Sequence, residues 1–110
     1  MARPEGLIPL TKLTVLYGVP TDADAFDEHY RSTHAPLAKA IPQLHRFSAN
    51  RVIGTADGTP SPYHLVVDLE FTDLEALSTG MGSPEGRAAA EDVPGFATGG
   101  VNLLITEPFE

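Results

Sequence analysis

Residues 63–71, YHLVVDLEF, alternate with a period of two. Tyr63, Leu65, Val67, Leu69 and Phe71 fall on one face, and His64, Asp68 and Glu70 on the other. A strand of this kind has one apolar face to cover, so it requires both a neighbouring strand and a second layer. The chain supplies candidates for both. KLTVLY, Lys12 to Tyr17, sets Leu13, Val15 and Tyr17 against Thr14 and Leu16 before Gly18 and Pro20 stop it. LHRFSANRVI, Leu44 to Ile53, sets Phe47, Ala49 and Ile53 against Ser48, Asn50 and Val52, and the turn-rich GTADGTPSP follows. It is expected to pair with residues 63–71 as an antiparallel hairpin with a long loop. VNLLITE, Val101 to Glu107, closes as a fourth strand.

Helical segments separate these strands. Thr21 is expected to cap the first, with Asp24 three residues on and further acids at 22, 27 and 28 suited to the positive end of a helix dipole. Thr72 and Glu75 form a capping box before LEALSTGM, and Ser83 with Pro84 starts a further segment, EGRAAAEDV, so the second helical region is broken near Gly80 to Gly82. The order β-α-β-β-α-β predicts an α+β chain with the ferredoxin-like split βαβ arrangement, a four-stranded antiparallel sheet with helices on one face. The other face, including Leu16, Val52 and Val66, is left uncovered, which predicts a homodimer formed sheet to sheet.

Composition bounds the function. With 110 residues, 42% of them hydrophobic, the chain is expected to be a single domain with its core at about 12–107 and residues 1–10 as an N-terminal extension. A net charge of −8 opposes nucleic acid as a partner. The absence of cysteine removes disulfides and thiolate chemistry. No stretch approaches the roughly 18 apolar residues of a membrane span, so the expectation is a cytoplasmic protein with no membrane partner. Nucleophile motifs, phosphate loops and zinc spacings do not occur, and the glycines of FATGG precede a strand instead of a helix.

One stretch is chemically dense. FDEHYRSTHAPLAKAIP, Phe26 to Pro42, places two histidines, a tyrosine, an arginine and two prolines in a helical segment. At about 100° per residue, Phe26, Tyr30, Thr33 and Leu37 share a stripe that would face the sheet, with His34 and His29 flanking it roughly 140° apart. Pro36 lacks an N–H and is expected to kink or stop the helix near His34. Loosened backbone beside an imidazole at the edge of an apolar seam suits a pocket that orients a polar substrate and moves a proton. The competing reading makes His29 and His34 partly buried groups bonded to nearby carbonyls, and Tyr30 and Tyr17 core aromatics with one wet end. His45, His64, Asp68 and Glu70, on strands with exposed neighbours, are better explained by a solvated or dimer-rim surface.

FDEHYRSTHAPLAKAIPQLHRFSANRV, then PYHLVVDLEF, then SPEGRAAAEDVPGFATGG resembles the EthD family of dimeric α+β barrel proteins, over about Leu13 to Glu107. The resemblance implies a pocket between sheet and helices. It assigns His34 of THAPL and His29 with Tyr30 of HYR as catalytic candidates, and Tyr17, Asn50 and Phe96 as substrate-binding ones. Many members of the family carry a tryptophan before the phenylalanine of the third strand, where this chain has Glu70 before Phe71. The implied function is cofactor-free chemistry on a small oxygenated, cyclic or aromatic metabolite, either acid-base chemistry of lyase, isomerase or cyclase type or a monooxygenase-like reaction. The alternatives are a non-catalytic binding or accessory dimer supporting an oxidase pathway, and a haem protein in which His29 or His34 supplies the axial ligand.

Overall fold

A computed structural model describes residues 10–110 of the chain, so the expected extension at 1–10 lies almost wholly outside the described residues. Strands β1 (Thr11–Gly18), β2 (Arg46–Arg51), β3 (Tyr63–Phe71) and β4 (Val101–Thr106) form one antiparallel sheet in the order β2-β3-β1-β4. Helices α1 (Ala23–His29) and α2 (Ala35–Lys39) cross over between β1 and β2, and α3 (Leu74–Gly82) and α4 (Pro84–Asp92) between β3 and β4. The α+β, ferredoxin-like expectation stands. Pairing of β2 with β3 and the break between α3 and α4 are also as expected, with Ser83 accepting from the Gly86 N–H at 3.0 Å to start α4.

The core lies between the sheet and the helices. Leu13, Val15 and Tyr17 of β1 and Leu65, Val67, Leu69 and Phe71 of β3 are buried against Phe26, Tyr30, Ala38, Leu77 and Ala89. Phe71 is 0% exposed, and full burial of such a side chain contributes about 1.5–3 kcal/mol.

Several local expectations are corrected. Asp22, not Thr21, caps α1 by accepting from the Ala25 N–H, and Asp73, not Thr72, caps α3 from the Ala76 N–H. In each case a carboxylate one residue further on does the same job with a stronger acceptor. Strand β2 is shorter than the alternating run, and Ile53, expected on its apolar face, lies beyond its end and is 94% exposed. In β3 the register against β1 shifts, so that Gly18 pairs with Tyr63 while Tyr17 pairs with Leu65. The extra residue, His64, is turned toward α1, where its ring meets Phe26 and Asp27, while the Tyr63 hydroxyl accepts from Asn102. A bulge exchanges the faces of the residues beyond it, which strict alternation could not show.

Helix one does not stop at Pro36. Residues Tyr30–His34 form a π-helical turn in which the Ala35 N–H reaches the Tyr30 carbonyl, and α2 continues to Lys39. The widened turn accommodates a proline that would clash with the preceding turn of a regular α-helix. Its extra residue also advances the buried stripe. Thr33 is exposed, and the side chains facing the sheet are Phe26, Tyr30, His34, Ala35 and Ala38.

The loop after α4 is fastened to the end of β1. The Gly18 N–H bonds the Gly100 carbonyl at 2.9 Å, and the Thr21 N–H bonds the Thr98 hydroxyl at 3.0 Å. A Cβ on Gly99 would run into the Val19 carbonyl and the Gly18 backbone. Gly99→Ala is therefore expected to destabilise the chain by about 1–3 kcal/mol, the usual range for forced overpacking, measured as a lowered urea midpoint.

Candidate functional site

A cavity of about 180 Å³ lies between the sheet and the helices. Its walls are mostly apolar, with Leu13, Val15, Val67 and Leu69 from the sheet, Ala38 and Met81 from the helices, and Val93, Pro94 and Leu103 toward α4 and β4. Three polar side chains enter this lining, Tyr17, Tyr30 and His34. An engineered apolar cavity of about 150 Å³ takes up benzene, so this space matches one ring-sized group.

Tyr17 reaches the cavity from the end of β1. Tyr30 and His34 reach it through the π turn. His34 is 6% exposed; its Nδ1 lies 2.9 Å from Asp92 Oδ2, and its Nε2 lies 3.3 Å from the Tyr17 hydroxyl. A carboxylate can only accept, so Nδ1 carries the proton and Nε2 presents a lone pair to the tyrosine and the cavity. Burial lowers the His34 pKa from its ordinary value, and the hydrogen bond and charge of Asp92 offset this only in part. The ring is thus a neutral base at neutral pH. Burial, with smaller effects from Tyr30 and Asp92, holds the Tyr17 phenol above the usual tyrosine range, and burial pushes Tyr30 up to about 12. Both hydroxyls stay protonated. The Tyr30 hydroxyl is buried and, among the described residues, is without a hydrogen-bond partner. An unpaired buried hydroxyl costs roughly 1–3 kcal/mol, which a ligand oxygen could recover.

His29 stands on the other side of Asp92 from the cavity. Its Nε2 is 2.9 Å from both Asp92 oxygens, and its side chain is 34% exposed. Phe96 does not line the cavity; its ring packs against His34 at 4.8 Å and stacks on His29 at 4.9 Å between centroids. Asn50 stands apart from this cavity. It pairs with Val66 in β2, is exposed on the sheet face away from the helices, and does not line the cavity. Asp92 is the group that residue-by-residue reasoning missed. It was visible only as the last acid of EGRAAAEDV, and nothing in that run distinguishes it from Glu91.

The two histidines meet on one carboxylate because of the π turn. A step of five residues overshoots a regular α-helical turn by about 140°, but nearly closes a turn bonded i to i+5. A second cluster ties α1 to the sheet, with Asp27 accepting from His64 and Arg51, each at 2.9 Å. Among the described residues no group of three or more His, Asp or Glu side chains is placed to hold a metal ion, and no helix is long and apolar enough to cross a membrane.

These carboxylates make stability depend on pH. Burial raises the pKa of Asp92, but hydrogen bonds from His29 and His34 outweigh it and the net shift is downward from 3.8; Asp27 is likewise lowered, by His64 and Arg51 against burial. The unfolded chain then binds more protons, so this stabilisation is present above 3.8 and is lost as pH falls through the folded values. His34, lowered from 6.5, acts in the same direction at higher pH. Thermal melts should show Tm falling as pH drops below about 6.5 and falling further below about 4, and Asp92→Asn should flatten the acid part of the profile.

The sequence pattern of the EthD domain matches residues 19–100. An uncharacterized 11.0 kDa protein of Rhodococcus erythropolis, from the thcB-thcC intergenic region, is 41% identical over 96 residues, 87% of this chain and 92% of its own length. The crystal structure of an EthD family protein from Bacillus halodurans superimposes with a TM-score of 0.86 at 38% identity, covering 91% of this chain and 99% of the other. A hydroxynitrile lyase from Passiflora edulis shares the fold alone, with a TM-score of 0.75 at 11% identity over 94% of this chain and 97% of its own. Several other structures of this fold are described as dimeric. The matched span, the identity to two relatives and the β-α-β-β-α-β architecture make this chain a member of the EthD family.

Proposed function

We propose that the chain is an acid-base enzyme of lyase, isomerase or cyclase type, with His34 as the base, acting on a small oxygenated metabolite that presents one ring-sized apolar group. The observation that supports this reading best is the position of His34, buried in the cavity wall with Nδ1 on a carboxylate and the lone pair of Nε2 met, among the described residues, only by the Tyr17 hydroxyl at 3.3 Å. The reaction needs no electron transfer. His34 Nε2 exchanges its bond from the Tyr17 hydroxyl for a proton from a carbon or hydroxyl beside a carbonyl, Asp92 stabilises the imidazolium that forms, and the unpaired Tyr30 hydroxyl donates to the oxygen on which charge gathers. The fold houses a hydroxynitrile lyase elsewhere, which makes proton transfer in such a cavity physically reasonable without fixing this chain's substrate. A haem is a poor fit, since the cavity matches one small ring and both nitrogens of His34 already have partners.

The test is incorporation of solvent deuterium next to the carbonyl of small cyclic ketones. The native chain should catalyse it for some members of a panel, and His34→Gln should not. A ligand bound tightly at the cavity with no exchange in either chain would favour the accessory, binding-only role.

This reading includes a cytoplasmic homodimer. Leu16, Val66 and Leu104 share the sheet face that the helices leave open, and Leu103, Leu104 and Ile105 of the edge strand β4 are 52–59% exposed. Stable interfaces bury about 1,200–2,000 Å², and a sheet face of this size can supply that. Val66→Asp should shift the chain from dimer to monomer in sedimentation velocity. A monomeric native chain would remove the sheet-to-sheet interface.

A further inference from the structure

We propose that His29 is the proton outlet of the site, connecting the buried base to bulk water through the shared carboxylate; this rests on the reading of His34 as the base. Asp92 Oδ2 lies 2.9 Å from His34 Nδ1 and 2.9 Å from His29 Nε2, so one oxygen touches both rings. Side-chain exposure rises along the series from 7% at His34 to 17% at Asp92 and 34% at His29. Phe96 covers both imidazoles and keeps water from the buried end. A base whose other nitrogen faces a mostly apolar cavity, with the Tyr17 hydroxyl beside it, needs such a path, because a proton taken from a bound molecule otherwise waits for that molecule to leave.

The transfers balance. When Nε2 of His34 accepts a proton, the ring becomes an imidazolium. Its Nδ1 proton moves to Asp92 Oδ2. His29, which at rest donates its Nε2 proton to this carboxylate, exchanges with water to the tautomer protonated on Nδ1; its bare Nε2 then accepts the proton from Asp92 as the Nδ1 proton passes to water. Asp92 is again a carboxylate, the three groups hold as many protons as at the start, one having come from the substrate and one having left to water, and His34 keeps the substrate's proton on Nε2. The same path in reverse supplies a proton. Burial alone would explain a single His34–Asp92 pair; it does not call for a second, half-exposed imidazole on the same oxygen.

The experiment uses the unliganded protein, so it can fail independently of the catalytic assignment. Exchange of the His34 Nδ1 proton with water is measured by NMR in the native chain and in His29→Gln, which retains an N–H donor to Asp92 but cannot accept and release a proton. The expected result is exchange slowed by about tenfold or more, because it must then await opening of the helix pair, with backbone amide exchange in β1 unchanged. Free imidazole added to His29→Ala should restore the rate. Should the variants fail to fold, carbethoxylation of His29 in the native chain blocks the same outlet without a substitution and should slow exchange equally. An unchanged His34 rate, in folded His29→Gln or in the modified native chain, overturns the proposal.

Discussion

His34→Gln should lower turnover by about 10²–10⁴ while leaving the fold intact, the range typical for removing a positioned general base. Glutamine has similar length and can still donate an N–H to Asp92, so the carboxylate keeps one partner from this position and the other from His29. What it lacks is a lone pair of usable basicity at the place of Nε2. The loss should therefore fall on kcat more than on KM, since the apolar walls that hold the substrate are untouched. Turnover within a few fold of native, in a variant with native circular dichroism, would mean that the proton is moved by another group.

Phe96→Ala carries the largest expected cost in stability, about 3–5 kcal/mol, the range for deleting a buried phenylalanine ring. Its ring is 5% exposed and packs within 5.5 Å, centroid to centroid, of Tyr17, Phe26, His29 and His34. That places one side chain from the loop after α4 in contact with β1 and with both histidines. The urea midpoint should fall sharply with an unchanged m-value, and water should reach the His34–Asp92 pair in the folded variant. A loss of under about 1 kcal/mol would show that the loop collapses to fill the space and that the ring does not shield the pair.

Much of the architecture was legible because apolar alternation in β1 and β3 is strict where these strands are central and buried on one side. Lys12 to Tyr17 and Tyr63 to Phe71 mark those strands closely. Legibility fell where a single extra residue intervened. The bulge at His64 and the π turn at Tyr30–His34 each add one residue to a regular repeat, and a pattern method with fixed period assigns the wrong face from that point on. That is why Thr33 was placed on the buried stripe and His34 beside it, although Pro36 gave notice of an irregularity nearby. Asn50 followed from family likeness and not from its place in the alternation, which already set it opposite Phe47 and Ala49. Asp92 became visible only when the chain was folded, because the partner of a histidine 58 residues away in sequence leaves no local signal.

The most direct measurement is the nitrogen-15 chemical shifts of the His34 ring, followed across pH. The account predicts a neutral imidazole at pH 7, protonated on Nδ1 and bare on Nε2, titrating below the ordinary value of 6.5 and losing that tautomer in Asp92→Asn. A ring that is cationic at pH 7, or neutral with its proton on Nε2, would leave no base facing the cavity and would contradict the account.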